Sequence, residues 1–298
     1  MIVPMTVCLN RVGYYESFNS GCNIYLLTGK GMKPEYSAAF PAQSITTPLE
    51  WTDLALSISV MDQINEILAW ISHGPTLMQD WNLEKIIKPG YRVLFYGAPG
   101  TGKTLVATLL AKSTGRDIYR VDLAMIVSKY IGETEKNLSR IFDIAANRDW
   151  ILFFDEADAL FGKRTVATTS NDRHANQQNS YLLQRIESFP GIVILASNLE
   201  GNMDEAFTRR FQSTIHLTMP NAEERYLLWQ RAFSDVCTLE DDINLHEIAE
   251  KYEINGGSII NVLRYCAVSA IARGSERVNE EELLAGIRRE YKKENWTL

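Results

Sequence analysis

The sequence predicts an α/β fold: a parallel sheet covered by helices on both faces, followed by a small helical unit. Two observations carry this expectation. Short apolar runs alternate with segments of helical periodicity from residue 91 to residue 219. Such alternation is the pattern of parallel strands joined by covering helices. After Pro220 the strand-like runs stop, and helical patterns continue to residue 298.

Residues 1–49 mix Gly, Ser, Pro and Tyr without clear periodicity and read as an N-terminal extension with some strand. From Trp51 the character changes. Val60, Ile64, Ile67, Leu68 and Ile71 mark one face of a helix. Residues 91–97 form a buried-strand pattern, and 103–115 a helix that Gly115 can end. A second strand is expected over 117–123. Leu138, Ile141, Phe142 and Ala145 then follow the i, i+3, i+4, i+7 spacing of an amphipathic helix. A strand opening at Trp150, a helix over 179–189 and strands over 191–197 and 213–219 complete the sheet. Asn221 with Glu224, and Asn279 with Glu282, read as helix N-caps with their reciprocal partners. The expected division is an extension over 1–49, a large α/β domain over 50–219 and a helical domain over 220–298.

Composition narrows the function classes. The net charge of −7 weighs against a non-specific nucleic-acid binder, which needs a basic field. Cys8, Cys22, Cys237 and Cys266 show no metal-ligand spacing and read as free thiols of a reducing compartment. The N-terminus lacks a basic stretch followed by a long apolar run, and no window approaches the roughly 20 apolar residues of a membrane span. A soluble, cytoplasmic chain without a membrane partner is expected.

Residues 97–104, GAPGTGKT, fit G-x-x-x-x-G-K-[ST] in full, with a strand before and a helix after. Gly97, Ala98, Pro99, Gly100, Thr101, Gly102, Lys103, Thr104 and Leu105 are thus candidate phosphate contacts. Glycines let successive backbone N–H groups face one anion, and the helix N-terminus adds positive dipole. Lys103 reaches the terminal phosphates, and the Thr104 hydroxyl is a ligand for Mg²⁺. Asp155 and Glu156 follow four apolar residues, so a buried strand delivers both acids to the sheet edge beside that loop. Asp155 is the candidate Mg²⁺ ligand, and Glu156 the general base for an attacking water. Asp158 reads as a cap for the next helix. A second acid poised over water suits hydrolysis of ATP rather than transfer to another substrate. Asn198 ends the strand expected beside the acid strand, in reach of the terminal phosphate or the water. Arg209 and Arg210 exceed what one subunit's own phosphates need, and can project into a neighbour's site.

Taken in order, GAPGTGKT, LFFDEAD, LASN and DEAFTRRF resemble the AAA+ ATPases, in particular the clade with paired arginine fingers. The resemblance covers about residues 50–298. It implies a P-loop NTPase fold with a five-stranded parallel sheet, a helical lid and a hexameric ring with ATP at subunit interfaces. It casts Asn198 as sensor 1, and Arg209 and Arg210 as the fingers. Gly256, Gly257 and Ser258 fall at sensor 2, where the clade carries small residues. Asp53 and Leu54 would lie near the adenine.

The wording of residues 121–138, 153–164, 179–187 and 195–211 is similar to AAA+ ATPases associated with bacterial contractile injection systems. Members of that group often carry a longer region ahead of the ATPase than the 49 residues here. By the resemblance, Lys129, Tyr130, Ile131 and Gly132 would line the central pore. An aromatic ring there grips any polypeptide without demanding a sequence. A second pore loop would include Lys163, Arg164 and Arg173. The function implied is an ATP-hydrolysing motor that remodels a protein partner, such as an injection-system component. The alternatives are an ATP-gated assembly scaffold and a nucleic-acid motor. The acidic balance opposes the motor, and the intact Glu156 and arginines oppose the scaffold.

Overall fold

The computed structural model describes residues 34–37, 40–123, 133–161, 170–199, 208–233 and 237–293. Residues 129–132, Lys163, Arg164 and the side chain of Arg173 lie outside the described part.

A six-stranded sheet forms the frame, in the order β1-β3-β4-β5-β2-β6. The strands are β1 (Ala42–Ile45), β2 (Tyr91–Tyr96), β3 (Ile118–Val121), β4 (Ile151–Phe154), β5 (Ile192–Ser197) and β6 (Ser213–His216). The five strands from β2 onward are mutually parallel, as the apolar runs predict. The sixth was not expected as part of the sheet. Residues 42–45, assigned to the extension, pair antiparallel with β3 and close that edge. A four-residue edge strand with one covered neighbour needs little apolar periodicity, which is why the sequence pattern does not reveal it.

Side chains of each parallel strand alternate between two cores. On one face Leu94, Leu152, Phe154, Val193 and Leu195 pack with α3 (Glu133–Asn147) and α5 (Ser170–Ser188). On the other, Val93, Phe95, Phe153, Ile194 and Ile215 pack with α1 (Ile58–Gln79) and α2 (Lys103–Thr114). Gly115 ends α2 at φ 66°. The short helix α4 (Asp158–Phe161) follows β4.

Beyond Pro220 a third core gathers Trp229, Ile248, Ile259, Val262, Cys266, Leu283 and Ile287. They belong to α6 (Ala222–Ala232), α7 (Leu245–Lys251), α8 (Gly256–Ala272) and α9 (Glu280–Lys293). Both expected capping boxes are made. Asn221 Oδ1 accepts the Glu224 N–H at 2.9 Å, and Asn279 Oδ1 accepts the Glu282 N–H at 2.9 Å. The unit is not wholly helical. Thr238–Leu239 and Arg277–Val278 form a two-residue parallel ladder, β7 and β8, too short for a period-two pattern to reveal.

No described helix is long and apolar enough to cross a membrane.

Candidate active site

The sheet order places β5 between β2 and β4. The loop after β2, the polar end of β5 and the acids after β4 therefore meet at one edge, where ligands of open α/β sheets bind. The unit beyond Pro220, here termed the lid, stands over that edge. Between them lies a cavity of about 550 Å³.

Leaving β2, the chain turns at Gly97 with φ 142°. A Cβ at this position would lie 2.1 Å from the Leu217 carbonyl oxygen, so only glycine fits there. The loop then wraps its own lysine. Lys103 is 7% exposed, and its ammonium donates to the carbonyls of Gly97 at 2.7 Å and Ala98 at 2.8 Å. Lys103 also opens α2, so the loop N–H groups and the helix N-terminus share one end.

Thr104 Oγ1 donates to Asp155 Oδ2 at 3.4 Å. The two predicted Mg²⁺ ligands are thus neighbours, although 51 residues apart in sequence. Adjacent ligands of an octahedral Mg²⁺ stand roughly 2.9 Å from each other, given metal–oxygen distances of about 2.0–2.1 Å. One hydroxyl and one carboxylate are hard oxygen donors of the kind Mg²⁺ takes alongside phosphate, and a closure of about 0.5 Å would bring the pair to that spacing.

Glu156 has φ 50°, the left-handed region that a side chain enters only at a cost. Its N–H donates to Asp155 Oδ1 at 3.1 Å, which ties the Asp155 carboxylate to the Glu156 backbone. Asp158 does not serve mainly as a helix cap. Its Oδ1 accepts from Ser197 Oγ at 2.5 Å and from the Asn198 N–H at 3.0 Å. It ties the acid segment to the end of β5, so that Asn198 and Glu156 line one cavity.

Asp53, Leu54, the loop from Pro99 to Leu105, Asp155, Glu156, Asn198 and Gly257 all line the cavity. Gly97 and Ala98 sit behind it and contribute carbonyls to Lys103. Ser258 does not line it either. The residue is 4% exposed, and its N–H donates to Asn255 Oδ1 in the cap of α8. Arg209 and Arg210 also stand outside this cavity. Arg210 Nη1 pairs with Glu187 Oε1 at 2.5 Å on α5.

Several lining groups carried no motif in sequence. Leu228, Arg231 and Ile260 come from the lid, and Leu56 from the segment before α1. Arg231 Nη1 donates to the Leu54 carbonyl at 2.9 Å across the cavity. Only the approach of two units far apart in sequence makes these residues neighbours.

Residues 93–219 match the family described as ATPase family associated with various cellular activities (AAA). Similar curated proteins include the A-like 1 form of the katanin p60 ATPase-containing subunit from Oryctolagus cuniculus, 30% identical over 251 residues. That alignment covers 80% of this chain and 49% of the relative. The proteasome-activating nucleotidase of Methanoregula boonei is 31% identical over 252 residues, covering 82% of this chain and 57% of the relative. The A1 form of the katanin p60 ATPase-containing subunit from Strongylocentrotus purpuratus is 30% identical over 248 residues, covering 79% and 46%. The chain spans about half the length of the curated relatives it matches. The matched segment starts within β2 and ends past β6, so it contains the loop, both acids and Asn198 that converge on the cavity. This chain carries an AAA ATPase domain.

Proposed function

We propose that the protein hydrolyses ATP in the cavity between sheet and lid, and that it couples hydrolysis to remodelling of a protein partner as a homo-hexameric ring. The observation that carries the reading is the convergence of Lys103, the Thr104–Asp155 pair, Glu156 and Asn198 on one cavity. Lys103 neutralises charge on the terminal phosphates. Thr104 and Asp155 hold Mg²⁺, which when bound offsets phosphate charge. Glu156 accepts the proton of the attacking water, and Asn198 orients that water or the terminal phosphate. Asp53 and Leu54, which line the cavity, would lie near the adenine, and Gly257 at sensor 2 stands against the 97–104 loop. Arg209 and Arg210 act on the neighbouring subunit's nucleotide, consistent with their position outside their own cavity.

Work on a protein is supported by the resemblance of residues 129–132 to a pore loop, and by the name of the proteasome-activating nucleotidase among the relatives. The partner we infer is a component of a contractile injection system, on the wording of the sequence motifs.

Two variants test the chemistry. Lys103→Ala should abolish ATP binding, because the backbone cradle cannot replace the lost charge. Glu156→Gln should bind ATP and lose turnover by about 10²–10⁴-fold, since an amide cannot take the proton. Most of the wild-type rate surviving in Glu156→Gln would assign the base to another group.

A further inference from the structure

The first turn of α8 touches the phosphate loop, and one side chain makes the link. Asn255 is the N-cap of α8 and is 5% exposed. Its Oδ1 accepts the Ser258 N–H at 2.7 Å, while its Nδ2 donates to the Pro99 carbonyl at 3.2 Å. Two residues on, the Gly257 N–H donates to the Gly100 carbonyl at 3.3 Å. The fit is close. Gly100 has φ 79°, and a Cβ there would lie 2.4 Å from Asn255 Oδ1. The amide occupies the space that any side chain at residue 100 would require.

These two bonds have a directional consequence. A trans peptide is planar, so its carbonyl and the following N–H point in opposite directions. Holding the Pro99 and Gly100 carbonyls from the lid turns the N–H groups of Gly100 and Thr101 away from the lid. An anion nest needs successive N–H groups set in advance toward one ligand. Orientation fixed before binding is ordering that the ligand does not have to supply.

We propose that Asn255 is a positioning residue for nucleotide binding. Its oxygen caps the lid helix, and its nitrogen holds the phosphate loop in the anion-binding conformation. The two ends of one amide thereby join the lid's own stability to the shape of the site. Chemistry separates the two roles. Serine and aspartate cap helices about as well as asparagine. Neither reproduces the second bond: serine ends one atom short of the amide nitrogen, and an ionised aspartate only accepts.

The proposal rests on residues 97–104 being the phosphate loop, so Lys103→Ala is the control. The experiment measures thermal melting, and the dissociation constant for a fluorescent ATP analogue and for ADP, in wild type, Asn255→Ser, Asn255→Asp and Asn255→Ala. We expect Asn255→Ser to melt with the wild type and to bind both nucleotides about 3–10-fold more weakly, the worth of one neutral hydrogen bond. Asn255→Asp should bind more weakly still and also melt lower, because one oxygen of a nearly buried carboxylate then opposes the Pro99 carbonyl without a donor. Asn255→Ala should lose both melting temperature and affinity. Wild-type affinity in a well-folded Asn255→Ser, or affinity losses only in variants whose melting falls, would overturn the proposal and leave Asn255 as a cap alone. Unchanged binding by Lys103→Ala would instead remove the phosphate-loop assignment, and this proposal with it.

Discussion

Glu156, the proposed general base, sits on a backbone that works against stability. Its φ of 50° puts a side chain where glycine would be at ease. Such a conformation costs on the order of 1–2 kcal/mol for a residue with a Cβ. Its neighbour constrains it through the bond from its own N–H to Asp155 Oδ1. Strain of this kind persists where the surroundings over-determine the backbone. The expected signature is a difference between two inactive variants. Glu156→Gly should be more stable than Glu156→Ala by about 1 kcal/mol, because only glycine relieves the left-handed backbone. Urea midpoints of the two proteins measure it. Equal midpoints would mean that the loop relaxes once the carboxylate is gone.

At the scale of elements, the lid is a small core that rests on the packing of α8 against α9. Cys266 is fully buried at that contact, and its Sγ donates to the Glu282 carbonyl at 3.5 Å. Burial, reinforced by the charge of Glu282, pushes the thiol up to about 12, from an ordinary value of 9.0. The folded state thus favours the protonated form more than the unfolded chain does. The associated stability is present in full below the ordinary thiol range, and is lost as pH rises from about 9 toward about 12. Tyr91 and Tyr119, buried in the large unit, are also pushed up to about 12 and add to an alkaline loss. Cys266→Ala should have a lower midpoint at pH 8 but a shallower decline between pH 8 and 11 than the wild type. Denaturant titrations across that range check it. Parallel declines would assign the alkaline loss to the tyrosines alone.

At the scale of the whole molecule, the two arginines proposed as fingers stand outside the site of their own chain. Arg209 and Arg210 lie outside the cavity, and Arg210 is paired with Glu187 of its own chain. A head-to-tail contact that repeats can close into a ring and bring one subunit's arginines to the next subunit's phosphates. ATPase specific activity should therefore rise with protein concentration. Mixing Arg210→Ala with Glu156→Gln subunits should restore part of the turnover, since some interfaces then pair an intact acid with an intact arginine. A fully active dilute monomer, or a co-assembled mixture no better than its parents, would show that the arginines act otherwise. The proposed ring also gives Tyr130 its test. Tyr130→Ala should keep nucleotide binding and assembly while partner-stimulated ATPase falls, and Tyr130→Phe should behave as wild type. On the proposed pore-loop reading the aromatic face, not the hydroxyl, would grip the partner, at about 0.5–1.5 kcal/mol beyond area burial. A sharp drop in the melting temperature of Tyr130→Ala would identify a core aromatic instead.

The sequence by itself determined the five parallel strands, the capping boxes at Asn221 and Asn279, the phosphate loop and the acids that follow β4. Each of these is a local signal. Apolar runs are read over a few residues, a cap over four, and the G-x-x-x-x-G-K-[ST] spacing over eight. What lay beyond local reading was every relation between distant segments. The antiparallel strand over 42–45 depends on an edge left open by β3. Asp158 became a brace because Ser197 and Asn198 stand beside it, and Ser258 left the cavity because Asn255 draws its N–H into a cap. The link from Asn255 to Pro99 joins residues 156 apart, and that from Arg231 to Leu54 joins residues 177 apart. No spacing rule operates over such separations. Only the packing of the lid core against the sheet core decides which side chains meet, because the distance between two chain segments is set by the apolar surface buried elsewhere in the fold.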